Sequence, residues 1–182
     1  MRIAITGATG FLGRYLVRHA LDGGHQITAW HRSSVPNISG VPNISGVPNI
    51  SGIPNISGVP NIGGIPEPAT NPIQWVRGEL GNFDDACRLV DSADAVIHSG
   101  LARRGRSFLD SGDDPLDYWN RNATGSLQLL EAARSAGAKK FIFISSGAVH
   151  DTVLADRRLD ETHPMLPGTL YGACKAAVES LV

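Results

Sequence analysis

The chain has 182 residues, enough for one domain with a sizeable core, and its charge nearly balances at 16 Lys+Arg against 17 Asp+Glu. With no Lys/Arg run there is no footprint for a nucleic acid, and no apolar run reaches membrane-spanning length. Cys87 and Cys174 are too few for a disulfide framework and read as free thiols, so a reducing, cytoplasmic setting is expected, and a strand starting at Met1–Arg2 leaves no room for a signal peptide.

Ile3, Ala4 and Ile5 predict an opening strand. Glycines follow at Gly7, Gly10 and Gly13, and then a run with Phe11, Leu12, Leu16 and Val17 available to face a sheet as a helix. Each glycine has a distinct expected use: Gly7 for a sharp turn, Gly10 for close approach to a pyrophosphate, Gly13 for close packing of helix on strand. The spacing is GxxGxxG rather than GxGxxG, and either pattern is weak alone. The strand before it and the helix after it are the context that points to a dinucleotide site, with phosphates held by N–H groups at the helix start.

Asp22–His25 reads as a helix stop, and Gln26–His31 as the second strand. An NAD-selective fold usually places a carboxylate at the end of that strand for the ribose 2′-hydroxyl. Here His31-Arg32-Ser33-Ser34 stands there, so Arg32 is a candidate for a 2′-phosphate and NADP is slightly favoured over NAD. From Val35 to Pro66 the chain runs through VPNISG, IPNISG and VPNIGG copies. Proline at every sixth residue excludes a long helix, and residues 35–66 are expected to be a low-complexity insertion, irregular in structure, within the domain.

Ile73–Val76 is a third strand, with Glu79 expected near an adenine edge. Phe83–Val90 reads as a helix with Cys87 buried, and Ala93–His98 as a fourth strand with Ser99 and Gly100 just beyond its carboxyl end. Arg103, Arg104 and Arg106 lie in a polar, irregular stretch. Tyr118–Ser135 predicts one long helix, with Leu127, Leu129, Leu130, Ala132 and Ala133 as its apolar surface. Phe141–Ser145 predicts a fifth strand buried in a parallel sheet.

Ser145 and Ser146 end that strand, and Tyr171 and Lys175 lie four residues apart, on one face of a helix. A phenol titrates near about 10 and is a poor base at neutral pH, but an adjacent ammonium favours the phenolate. Serine, tyrosine and lysine together can move a proton on or off an alcohol oxygen while hydride moves at carbon. His98, His150 and His163 lack ligand-like spacing, so no metal is expected.

The segments TGATGFLG at 6–13, RGEL at 77–80, DAVIHSG at 94–100, NATGS at 122–126, FIFISSGAVH at 141–150 and PGTLYGACK at 167–175 resemble the extended short-chain dehydrogenase/reductases, specifically the NAD-dependent epimerase/dehydratase family. The resemblance implies an α/β, Rossmann-like doubly wound parallel sheet and hydride transfer at a carbonyl or secondary alcohol, on a small molecule such as a sugar nucleotide. It implies that Phe11 and Leu12 offer backbone N–H groups to phosphate, and that Glu79 stands where Asp usually contacts adenine, with Leu80 as the next backbone contact. Ser99 and Gly100 match the segment beside the nicotinamide ribose, and Asn122 the Asn that shapes the site through the fourth helix. Ser146 matches the catalytic hydroxyl, Tyr171 the acid/base, and Lys175 the residue that binds the ribose and lowers the tyrosine pKa. Gly147-Ala148 replaces the Asp-Glu pair of the sugar-nucleotide 4,6-dehydratases, which argues against elimination.

Extended members continue into a sixth strand and a substrate-binding region. Residues 1–182 are therefore expected to be an incomplete NAD(P)-binding domain with little turnover alone, and a homodimer is implied for the full-length form. The alternative is a non-catalytic NAD(P)-binding sensor or scaffold, for which the repeat segment is the best argument.

Overall fold

The computed structural model describes residues 1–32, 73–103, 113–156 and 158–182. The repeat insertion, Arg104 and Arg106 lie outside the described residues.

Five parallel strands, β1 (Arg2–Thr6), β2 (Gln26–His31), β3 (Ile73–Arg77), β4 (Ala95–His98) and β5 (Lys140–Phe143), form one sheet in the order β3-β2-β1-β4-β5. The chain runs from β1 outward to β3, then returns past β1 to β4 and β5. The reversal leaves a crevice at the carboxyl ends of β1 and β4, the place where doubly wound sheets bind ligands.

Helix α1 (Phe11–Asp22) covers one face. Its Val17 and Ala20 pack on Ile3, Ile5, Ile27 and Ile73. Helices α2 (Phe83–Val90) and α4 (Gly125–Ser135) cover the other, where Ala86, Leu89, Leu129 and Ala133 meet Ala4, Trp30 and Val96. Strict alternation along β1 sends Ile3 and Ile5 to one layer and Ala4 to the other. Asn82 caps α2, accepting the Asp85 N–H at 3.1 Å.

Four expectations change. Phe11 is 76% exposed and Leu12 42% exposed, because the first turn of α1 lies beyond the sheet's carboxyl edge and has no strand to face. Cys87 is exposed rather than buried: α2 turns Ala86, Leu89 and Val90 inward, and position 87 falls on the opposite side. The long helix starts three residues earlier than expected, as α3 (Pro115–Trp119) under an Asp114 cap, and reaches α4 through a π-helical turn at Asn120–Thr124; Leu127 on α4 faces solvent. Strand β5 is only partly covered, with Ile142 at 47% exposure, because no further described strand lies beside it.

Candidate functional site

Among the described residues, a cleft of about 380 Å³ opens at the carboxyl ends of the strands. Thr6, Gly7 and Thr9 line it after β1, Trp30 and Arg32 at β2, and Gly78–Leu80 after β3. Gly100–Arg103 close it after β4, with Asp117, Tyr118 and Arg121 from the α3 side.

The glycine loop is shaped by backbone contact. Gly7 sits at φ +70°, and a Cβ there would lie 2.8 Å from the Gly100 nitrogen. The Gly10 N–H returns to the Gly7 carbonyl at 2.9 Å, and Gly10 is the N-cap of α1 without a side chain over the helix start. A Cβ at Gly13 would overlap the Gly7 carbonyl oxygen, so α1 lies directly on the loop. At all three glycines the nearest neighbours of an added Cβ are backbone atoms, so loop and helix lie this close only because no side chain intervenes.

At the other end of the cleft, the Trp30 indole N–H donates to the Asp85 carbonyl at 3.3 Å, and the Asp85 carboxylate accepts the Glu79 N–H at 2.9 Å. The backbone of 78–80 is thereby pinned to α2. The Glu79 carboxylate itself is taken by Arg121 at 3.0 Å, whose Nε also meets Asp117 at 3.0 Å. Sequence reasoning missed Trp30, Asp85 and Arg121. Only the hydrophobic periodicity of α2, which turns Asp85 inward beside Ala86 and Leu89, hinted at any of them.

Gly100 and Leu101 also line a second, small pocket, together with Asn122, Ser126, Phe143, Cys174 and Lys175. Lys175 is on α5 (Leu170–Glu179), capped by Thr169, which accepts the Gly172 N–H at 3.0 Å. Its Nζ donates to the Ile144 carbonyl at 2.7 Å and lies 4.4 Å from the centroid of the Phe143 ring. Burial pulls the Lys175 ammonium down to about 8, partly offset by Cys174. Burial pushes the Cys174 thiol up to about 11, against the opposing pull of Lys175, which keeps it an unreactive core group. Tyr118 is pushed up to about 12, by burial first and then by neighbouring Cys174 and Tyr171, as α3 packs on α5.

Ser146 caps the 3₁₀ turn Gly147–His150, its Oγ accepting the Ala148 N–H at 3.3 Å. A Cβ at Gly172 would overlap the Ala148 carbonyl oxygen, so α5 lies hard against that turn, with half-buried Tyr171 on its first turn. Thus Gly7, Arg32, Glu79, Leu80 and Gly100 share the cleft, and Gly100, Asn122 and Lys175 share the smaller pocket. Gly10, Phe11, Leu12, Gly13, Ser99, Ser146 and Tyr171 are in the lining of neither.

His98 was read only as a strand residue without metal-ligand spacing. It is wholly buried, between the Thr6 hydroxyl at 2.6 Å and the Ser126 hydroxyl at 2.8 Å. Burial first, and then the charge of Lys175, pulls it down to about 3. The folded state therefore stays unprotonated at His98 where the unfolded chain, titrating near about 6.5, takes up a proton. Between those values the unfolded state binds more protons, so stability is full above about 6.5 and falls as pH drops toward 3. A melting series should show Tm decreasing through this window, and less steeply in His98→Asn; equal slopes would rule out His98 as the source.

Residues 3–182 match the pattern of the NAD dependent epimerase/dehydratase family. A UDP-glucose 4-epimerase of Erwinia amylovora is 34% identical across 100% of this chain, which spans 48% of that protein. The structure of the Thermus thermophilus UDP-glucose 4-epimerase in complex with NAD is 26% identical with a TM-score of 0.70, covering 100% of this chain and 49% of that one. The UDP-Glc/GlcNAc 4-epimerase of Campylobacter jejuni shares the fold, at 22% identity and TM-score 0.71, over 99% of this chain and 47% of that one.

Proposed function

Because the chain belongs to the NAD-dependent epimerase/dehydratase family, we propose that it is the nucleotide-binding half of an enzyme acting on a secondary alcohol or carbonyl of a sugar nucleotide. It spans about half the length of the relatives compared above, which are UDP-sugar epimerases. The observation that carries the reading is the cleft at the β1/β4 crevice, with Gly7 and Thr9 of the glycine loop on one wall and Gly100–Leu101, shared with the Lys175 pocket, on the other.

A nicotinamide nucleotide, when bound, supplies the hydride acceptor or donor. Gly7, Gly10 and Gly13, with the Phe11 and Leu12 N–H groups, hold its pyrophosphate. Glu79 and Leu80 border the adenine, Ser99 and Gly100 the nicotinamide ribose, and Asn122 holds the segment after Gly100 in place through Ala102. Tyr171 takes the substrate hydroxyl proton as hydride leaves carbon and returns it in the reverse step. Lys175 binds the ribose and favours the phenolate by its charge. Ser146 accepts the Ala148 N–H, so its own hydrogen remains for the substrate oxygen. Incubating the full-length protein with UDP-glucose tests this: the 4-epimer forming without net nicotinamide turnover is expected of an epimerase, stoichiometric oxidation or reduction of a reductase, and neither result refutes both.

On cofactor choice, the family is NAD-dependent and the Thermus structure is a complex with NAD. Arg32 lines the cleft where a carboxylate is missing, which supports NADP. If it holds the 2′-phosphate, Arg32→Ala weakens NADP by about tenfold or more and leaves NAD unchanged. Calorimetric titration with both nucleotides decides it, and tighter NAD binding that is indifferent to the substitution overturns the NADP reading.

A further inference from the structure

His98 sits in a hydrogen-bond chain whose direction follows from its ends. The Asn122 carbonyl only accepts, so the Ser126 hydroxyl hydrogen goes to it. Ser126 Oγ must then accept from His98, which places the imidazole proton on Nε2. The bare Nδ1 takes the Thr6 hydroxyl hydrogen, and Thr6 Oγ1 in turn accepts the Gly100 N–H at 2.9 Å. Asn122 also clasps Ala102, its Oδ1 accepting the Ala102 N–H at 2.8 Å and its Nδ2 donating to the Ala102 carbonyl at 3.0 Å. The segment between the two cavities is thus held at Gly100 and at Ala102, and His98 joins the two holds.

We propose that His98 is a positioning residue: fixed in its Nε2–H tautomer, it aligns Gly100–Leu101, and through them the reactive half of a bound nucleotide. This rests on the nucleotide-binding reading above. The bland alternative is a space-filling ring between Phe141 and Phe143, whose centroids lie 6.2 and 5.4 Å away. The two differ in what a shape-filling but hydrogen-bond-free side chain would do.

The test compares His98→Leu, which fills space only, with His98→Asn, which keeps a polar group near Nδ1, and His98→Gln, which reaches toward the Nε2 position. Ser126→Ala breaks the far end of the chain with a smaller change, should the Leu variant not fold. Readouts are amide hydrogen exchange at Gly100 and Ala102 without ligand, and affinity for NADH by fluorescence titration. Expected are at least tenfold faster exchange at Gly100 and at least tenfold weaker NADH binding in His98→Leu, several-fold effects in Ser126→Ala, and partial recovery in Asn and Gln. Unchanged exchange and affinity in folded His98→Leu or in Ser126→Ala, or losses in all variants that merely track Tm, overturn the proposal. A wild-type protein that binds no nicotinamide nucleotide overturns the functional reading and the nucleotide clause with it. That failure is visible without any variant and is thereby distinguishable.

Discussion

Tyr171→Phe is expected to lower turnover of the full-length protein by about 10²- to 10⁴-fold, the range that positioned acid–base groups contribute, with nucleotide affinity nearly unchanged. The substitution removes one hydroxyl and leaves the ring in place. The cap of α5 comes from Thr169, and its packing on the 147–150 turn comes from Gly172. The fold and the Lys175 contact to Ile144 should therefore persist. Single-turnover absorbance of the nicotinamide, beside a binding titration, separates the two effects. A variant with wild-type turnover would remove Tyr171 from the chemistry, and a non-catalytic sensor would tolerate the change throughout.

Gly13→Ala is expected to be among the most damaging single added methyl groups in the glycine loop. The added Cβ meets the Gly7 carbonyl and lies 2.8 Å from the Ala8 Cα, so the obstruction is backbone and no side-chain rotation relieves it. Overpacking costs roughly 1–3 kcal/mol where side chains can adjust, and the upper end applies here. For a domain of this size that corresponds to a Tm loss on the order of 6–12 °C. Relief comes only by lifting α1 off the loop, so if the loop holds phosphate as proposed, nucleotide binding falls with stability. Gly147→Ala is the control: an added Cβ there has open space, and the melting temperature should barely move. If Gly13→Ala melts and binds like the control, α1 does not rest on the loop as described.

Much of the architecture is local enough to be legible in one sequence. The bounds of β2 and α2 follow from their apolar periods and flanking turns, and the Gly7–Gly13 spacing between strand and helix announces the crevice. The Tyr171–Lys175 pairing on one helix is equally local. Resemblance extended this to a doubly wound parallel sheet, and the five parallel strands agree with it.

What escaped the sequence depends on neighbours distant along the chain. Phe11 and Leu12 are apolar at helical spacing, yet they face solvent because the sheet ends beneath them. Ile142 has the composition of a core residue, but it lies on the edge strand of the described sheet. Glu79 lines the cleft while its carboxylate is committed to Arg121, 42 residues away. The Thr6–His98–Ser126 chain joins three elements through side chains 92 and 28 residues apart. From the sequence alone came the periods, turns and glycine positions, because backbone preference and alternation act over a few residues. Tertiary structure alone decided which polar groups meet inside, because a buried donor or acceptor must find its partner wherever the fold brings one within reach.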